Sequence, residues 1–119
     1  MDSLWERARE VGRLVGQSDE YKAFKRANEL LSNDRDTVAL INKLGELQDG
    51  IARALERGEE PSQAERDEFE KVASVVQTSA PYQRFESARA NFERLMACVD
   101  EEIAKGIEAG EQSRIILAP

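Results

Sequence analysis

Apolar residues recur at steps of three and four along almost the whole chain, and nowhere do they alternate with polar ones over a strand's length. That pattern marks helices that each bury one face. Leu4, Ala8, Val11 and Val15 form the stripe of a first helix, which weakens at Gly16 and Gln17. Ser18 then offers a side-chain oxygen to cap a second helix, whose stripe is Tyr21, Phe24, Ala27 and Leu31. The stretch "SNDRD", residues 32–36, reads as a turn rich in N-cap residues. A third helix follows with Ile41, Leu44, Leu47, Ile51 and Leu55 on one side; Gly50 inside it costs about 1 kcal/mol relative to alanine without ending it.

The clearest hinge is "RGEEPS", residues 57–62. Gly58 stops one helix, Pro61 cannot continue it, and Ser62 with Glu65 forms a capping box that opens the next. Phe69, Val72, Ala73 and Val76 supply the fourth stripe. After "TSAP" a long last helix is predicted from Tyr82 to about Gly106, carrying Phe85, Ala88, Phe92, Leu95, Met96, Val99 and Ile103. The expectation is an all-α fold: an elongated antiparallel bundle of about five helices with a long C-terminal helix. It forms one domain over residues 1–108, with a tail over 109–119.

One phrase occurs twice. "SDEYKAFKRA" at 18–27 returns as "SAPYQRFESA" at 79–88, so that Ser18, Tyr21, Phe24 and Ala27 reappear as Ser79, Tyr82, Phe85 and Ala88. Val11 and Val15 match Val72 and Val76 at the same offset. Each copy is a helix, a break at serine, and a second helix opening with Tyr-x-x-Phe. Acidic residues after Ser18 suit the helix dipole, and Pro81 suits a first turn because its missing N–H has no partner to lose. The reading is architectural: a serine-hinged corner locked by an aromatic pair, built twice, gives the bundle an internal pseudo-repeat. The functional alternative makes Tyr21 and Tyr82 ligand or modification sites.

Composition narrows the function. The chain has 119 residues, a net charge of −7 and no histidine. That acidity argues against sequence-independent binding to nucleic acid or an anionic membrane. The single cysteine, Cys98, cannot form an internal disulfide. No signal peptide and no apolar run of membrane-spanning length is visible, so the expected compartment is the cytoplasm.

No catalytic, metal or cofactor constellation can be assembled. Glu101 and Glu102 point in different directions on a helix, Glu59 and Glu60 sit in a loop, and Gly12 and Gly16 lie within a helix without phosphate-loop spacing. Those two glycines read as close helix packing, or else as the place where another helix docks. Arg84, Arg89 and Arg94 interleave with Phe85 and Phe92, a pairing of arginine and aromatic faces that can contact RNA. Glu86 and Glu93 intervene, and the aromatics are needed for the core.

The predicted last helix is about 37 Å long at 1.5 Å per residue, whereas a domain of this size has a radius of gyration near 13 Å. Its apolar side outruns the core its own chain can offer. The expected answer is an isologous homodimer, with Phe92, Leu95, Met96, Val99 and Ile103 as the candidate dimer or partner face. Ile115, Ile116 and Leu117 in the tail "EQSRIILAP" either seal the end of the bundle or dock a partner.

The order of elements resembles the YlbF/YmcA family of small bacterial helical regulators, which includes the YheA-like proteins. The resemblance rests on "REVGRLVGQSDEYKAFKRA", "ELLSNDRD" and "SAPYQRFESARANFERLM", and covers roughly residues 4–107. It implies an all-α, dimerising protein without enzymatic activity. Some members of that family assemble with partners that steer messenger-RNA processing by ribonuclease Y and affect competence, sporulation and biofilm formation. Certain complexes hold iron–sulfur clusters through members' cysteines; here Cys98 alone cannot supply four thiolates, and no cofactor is expected. The leading expectation is thus a dimeric regulatory adaptor. A direct RNA binder and a small-ligand sensor between the aromatic corners are the alternatives.

Overall fold

The computed structural model describes the backbone of residues 1–117 and the side chains of residues 1–112. Among the described residues five helices follow one another without a strand: α1 (Asp2–Gly16), α2 (Asp19–Asn33), α3 (Arg35–Glu56), α4 (Gln63–Thr78) and α5 (Ala80–Leu117). The all-α reading holds. The tail cluster Ile115, Ile116 and Leu117 has its side chains outside the described residues.

The repeated phrase builds the same turn twice. Ser18 sits at φ −69°, ψ 150° and Ser79 at φ −69°, ψ 129°, both extended between two helices. The Ser18 N–H donates to the Val15 carbonyl at 3.0 Å, and the Ser79 N–H donates to the Val76 carbonyl at 3.1 Å. Each hydroxyl then accepts from the tyrosine N–H three residues on, Tyr21 at 3.1 Å and Tyr82 at 3.4 Å. One short polar side chain thereby satisfies a helix-start amide that would otherwise have no partner.

Two boundaries differ from the pattern. The five-residue turn expected at 32–36 contracts to one residue. Asp34 ends α2 through its N–H to the Leu31 carbonyl at 3.1 Å and starts α3 by accepting from the Thr37 N–H at 3.0 Å. The last helix runs 38 residues and passes straight through Gly106 and Gly110. Each glycine weakens the helix by about 1 kcal/mol, but Lys105, Glu108, Ala109, Glu111 and Gln112 around them are good helix formers.

The hinge after α3 forms as expected. Gly58 adopts φ 72°, the left-handed conformation that glycine takes without strain. Glu59 N–H then reaches the Ala54 carbonyl at 2.9 Å and Gly58 N–H the Leu55 carbonyl at 3.0 Å, a Schellman ending. Ser62 caps α4 by accepting from the Glu65 N–H at 3.1 Å, while its hydroxyl donates to the Glu65 carboxylate at 3.2 Å. The glutamate therefore reaches the serine hydroxyl, not the backbone N–H of a full capping box.

The helices pack chiefly as two pairs, α2 against the first half of α5 and α3 against α4. Ala27, Leu31, Ala54, Val72, Val76 and Ala88 are the buried apolar residues, and Val76 is the only one below 2% exposure among the described residues. Thr37, buried at the start of α3, meets the Ser79 hydroxyl at 3.4 Å and ties the pairs together. Lys43 and Glu68 bridge α3 and α4 across 2.8 Å on the surface.

This core is too small for its chain. The radius of gyration is 22.0 Å and the molecule measures 71 × 37 × 22 Å, where a compact domain of this length would have a radius near 13 Å. The accessible surface is 9407 Å², against roughly 6,500 Å² for a compact monomer of the same mass. The excess is roughly 2,900 Å² on that scaling.

Candidate functional site

Four of the aromatic residues singled out in the sequence, Tyr21, Phe24, Phe85 and Phe92, meet in one place, and Tyr82 is not among them. Phe24 stacks on Phe92 with ring centres 5.4 Å apart and planes within 3°, and it also meets Phe85 at 5.6 Å. Tyr21 meets Phe92 at 5.6 Å. The rings of each corner do not stack on each other, as the spacing had suggested. They cross from α2 to α5 and join the two corners, because residues three apart on one helix turn face a neighbouring helix together. Tyr21, Phe24, Tyr82 and Phe85 are all half-buried. Phe92, expected on the partner face, spends its ring on this internal cluster.

The remaining residues of that face lie further along α5. Leu95, Met96 and Val99 are half-buried and Ile103 is 51% exposed. Opposite them stands α1, a strongly amphipathic helix with no buried residue. Leu4 and Trp5 are each 53% exposed, and Leu14 and Val11 are also exposed. Between α1 and α5 runs an open apolar groove. One stretch, about 230 Å³, is lined by Val11, Leu14, Val15, Ser18, Leu95 and Val99. The next, about 440 Å³, is lined by Val11, Cys98, Val99, Glu102 and Ile103. Beyond it Ile107 is exposed as well.

Gly12 and Gly16 were read as close-packing positions. A Cβ built on either meets nothing within 4 Å, and the same is true of Gly106 and Gly110 on α5. No neighbour among the described residues explains them. The sequence signals for this surface were the spacing Ile103–Ile107, which continues the α5 stripe past the expected helix end, and Trp5 beside Leu4. The pattern showed that α1 had an apolar face; only the packing shows that the chain leaves it uncovered.

Of Arg84, Arg89 and Arg94 on α5, Arg89 is neutralised locally. Arg89 donates to Glu86 at 2.7 Å and Glu93 at 3.1 Å, and the hydrogen bond it makes to the Glu86 carboxylate strengthens its hold on its proton. Arg94 donates to Asn91 at 3.0 Å. The phenylalanines that would stack on bases are occupied in the internal cluster. Between the corners, the rings fill the space a small ligand would need; the neighbouring surface depression is lined by Ala23, Ala27, Leu30, Arg84, Ala88 and others, without an aromatic side chain. Among the described residues no helix is long and apolar enough to cross a membrane.

Fold and surface together define a class: a small helical protein whose most developed feature is an exposed apolar helix face. The family described as control of the competence regulator ComK, YlbF/YmcA, matches residues 4–108, and the chain belongs to it. A UPF0342 protein of Leuconostoc mesenteroides is 20% identical over 105 residues, covering 88% of this chain and 90% of the relative. A UPF0342 protein of Streptococcus agalactiae is 28% identical over 79 residues, covering 66% of this chain and 71% of the relative. The family's description assigns it a regulatory role.

Proposed function

We propose that the protein is a non-enzymatic regulatory adaptor that acts through protein–protein contacts as a homodimer. The observation that carries this is the mismatch between core and surface: two helix faces of a regulatory-family chain stay apolar and uncovered. Residues 1–108 are the working unit, and 109–119 extend its last helix. Its resemblance to YlbF/YmcA proteins supports a role as a modulator of messenger-RNA processing by ribonuclease Y, with competence, sporulation and biofilm formation as the processes affected. Its partners are then a second copy, another family member or the ribonuclease, and it works in the cytoplasm. Leu95, Met96, Val99 and Ile103 supply the contact surface, while Ser18, Tyr21, Phe24, Ser79, Tyr82 and Phe85 hold the corners that present it.

Sedimentation of the full chain between about 1 and 100 μM, followed by titration of purified ribonuclease Y and of a second family member, tests both halves. The expected result is a dimer that forms a salt-sensitive complex with one of them. A monomer throughout that range, with no complex, overturns the proposal.

A further inference from the structure

We infer that the homodimer is a four-helix arrangement in which α1 of each copy packs on the far half of α5 of the other, not on its twin α1. The inference rests on the dimer reading above and adds which surfaces meet.

Each copy contributes a matched pair of faces. α1 is about 22 Å long and the stretch of α5 from Leu95 to Gln112 about 27 Å, each helix about 10 Å across. Side by side they form a face of about 20 × 25 Å in projection. Following the relief of the side chains, its accessible area approaches the ~800 Å² per partner of a standard stable interface. It lies within the surplus surface that the chain carries over a compact monomer. A second copy has the same face, so an isologous contact buries both at once.

Helix geometry separates the edge of each element that borders its own chain from the edge that does not. On α1, Val11, Leu14 and Val15 line the groove shared with its own α5. Trp5, Gly12 and Gly16 lie about a third of a turn round from these, at 3.6 residues per turn, beside Arg9. On α5, Leu95, Cys98, Val99, Glu102 and Ile103 border the groove. Met96, Ile107 and Asp100 lie about a third of a turn further on. Gly12 and Gly16, which no neighbour among the described residues approaches, thus fall on the free edge of α1, where a helix from another copy can come close.

Charge decides which free edge meets which. From Asp100 to Glu111, α5 carries Asp100, Glu101, Glu102, Glu108 and Glu111 against Lys105 alone. Lys105 is already drawn to Glu101 and Glu102. Two such stretches side by side repel. α1 is balanced overall but carries Arg7, Arg9 and Arg13. Arg13 is paired with Glu10, whereas Arg7 and Arg9 have no ion-pair partner among the described residues. Alternating the helices around the bundle puts the acidic stretches on the diagonal and gives each an arginine-bearing neighbour on both sides, one from its own chain and one from the partner. Like charges across an interface suppress the competing arrangement.

Charge reversal in the full chain tests the arrangement. The variants are Arg9→Glu, the pair Asp100→Lys with Glu111→Lys, and all three together; the readout is the dimer dissociation constant by sedimentation equilibrium. Thermal unfolding at concentrations where the chain is monomeric serves as the folding control. Each of the first two variants is expected to weaken the dimer about tenfold, and the triple variant to return to within about threefold of the wild type. A dimer constant that Arg9→Glu leaves unchanged overturns the alternating arrangement while the dimer itself stands. So does a loss seen only in the monomer's melting, which would place the contact within one chain. A wild-type chain that stays monomeric to about 100 μM overturns the dimer reading and this inference together, and is told apart by the wild type alone.

Discussion

Replacing Phe24 with alanine removes the one ring that touches both Phe85 and Phe92, and so the piece that joins the two corners. Truncating a fully buried phenylalanine costs about 3–5 kcal/mol. Phe24 is half-buried, which lowers the burial share to about 2 kcal/mol on the same scale. Its two ring contacts add about 0.5–1.5 kcal/mol each. The expected loss is therefore about 3–5 kcal/mol, a large share of the ~5–15 kcal/mol that a domain has in total. Phe24→Leu keeps most of the apolar area and loses mainly the ring contacts, so it should cost about 1–2 kcal/mol. Urea unfolding followed by far-UV circular dichroism measures both. Chain concentration must be fixed, because association stabilises the folded state by mass action. At a slope near 2 kcal/mol per molar urea, the alanine variant should lower the midpoint by about 1.5–2.5 M. A double-mutant cycle with Phe92→Leu should show a coupling of about 0.5–1.5 kcal/mol. A loss below about 1 kcal/mol for Phe24→Ala would refute the idea that the aromatic cluster holds the corners together.

Ser18→Ala and Ser79→Ala should each cost about 1 kcal/mol, since each hydroxyl satisfies one helix-start amide; equal melting of wild type and both variants would show that the caps contribute nothing. Gly58→Ala forces a Cβ into the left-handed region at φ 72° and should lower stability by about 1–2 kcal/mol, whereas Gly45→Ala on a helix with open space around it should raise it by up to about 1 kcal/mol; the same sign for both would refute the backbone argument. The hydrogen bond from the Lys43 ammonium holds the Glu68 carboxyl below the usual carboxylate range. A carboxylate whose folded value is depressed contributes stability above its unfolded value and loses it as pH falls through the folded one. The stability gap between wild type and Glu68→Gln should therefore be present at about pH 6 and close toward about pH 3, and a gap that stays constant over that window would refute the pairing.

Within the chain, helical spacing of Leu, Ile, Val and aromatic residues was enough to place all five helices, because that period is a property of the local chain. Ser18, Ser62 and Gly58 were legible for the same reason: a cap or a left-handed ending involves only residues a few positions apart. The duplicated Ser-x-x-Tyr-x-x-Phe corner was also written locally, and both copies fold alike. The end of α5 was misjudged at Gly106 because a glycine's cost is set against the helix formers around it, and the sum favoured continuation.

What the tertiary structure decided is where each stripe goes. Spacing shows that Tyr21, Phe24, Phe85 and Phe92 share faces with core residues, but only the approach of α2 to α5 makes them one cluster and takes Phe92 away from the partner face. The stripe of α1 looked like core, equal in kind to that of α4. Packing leaves the first uncovered and buries Val72 and Val76 of the second, because an apolar period says that a face must be covered and cannot say by what.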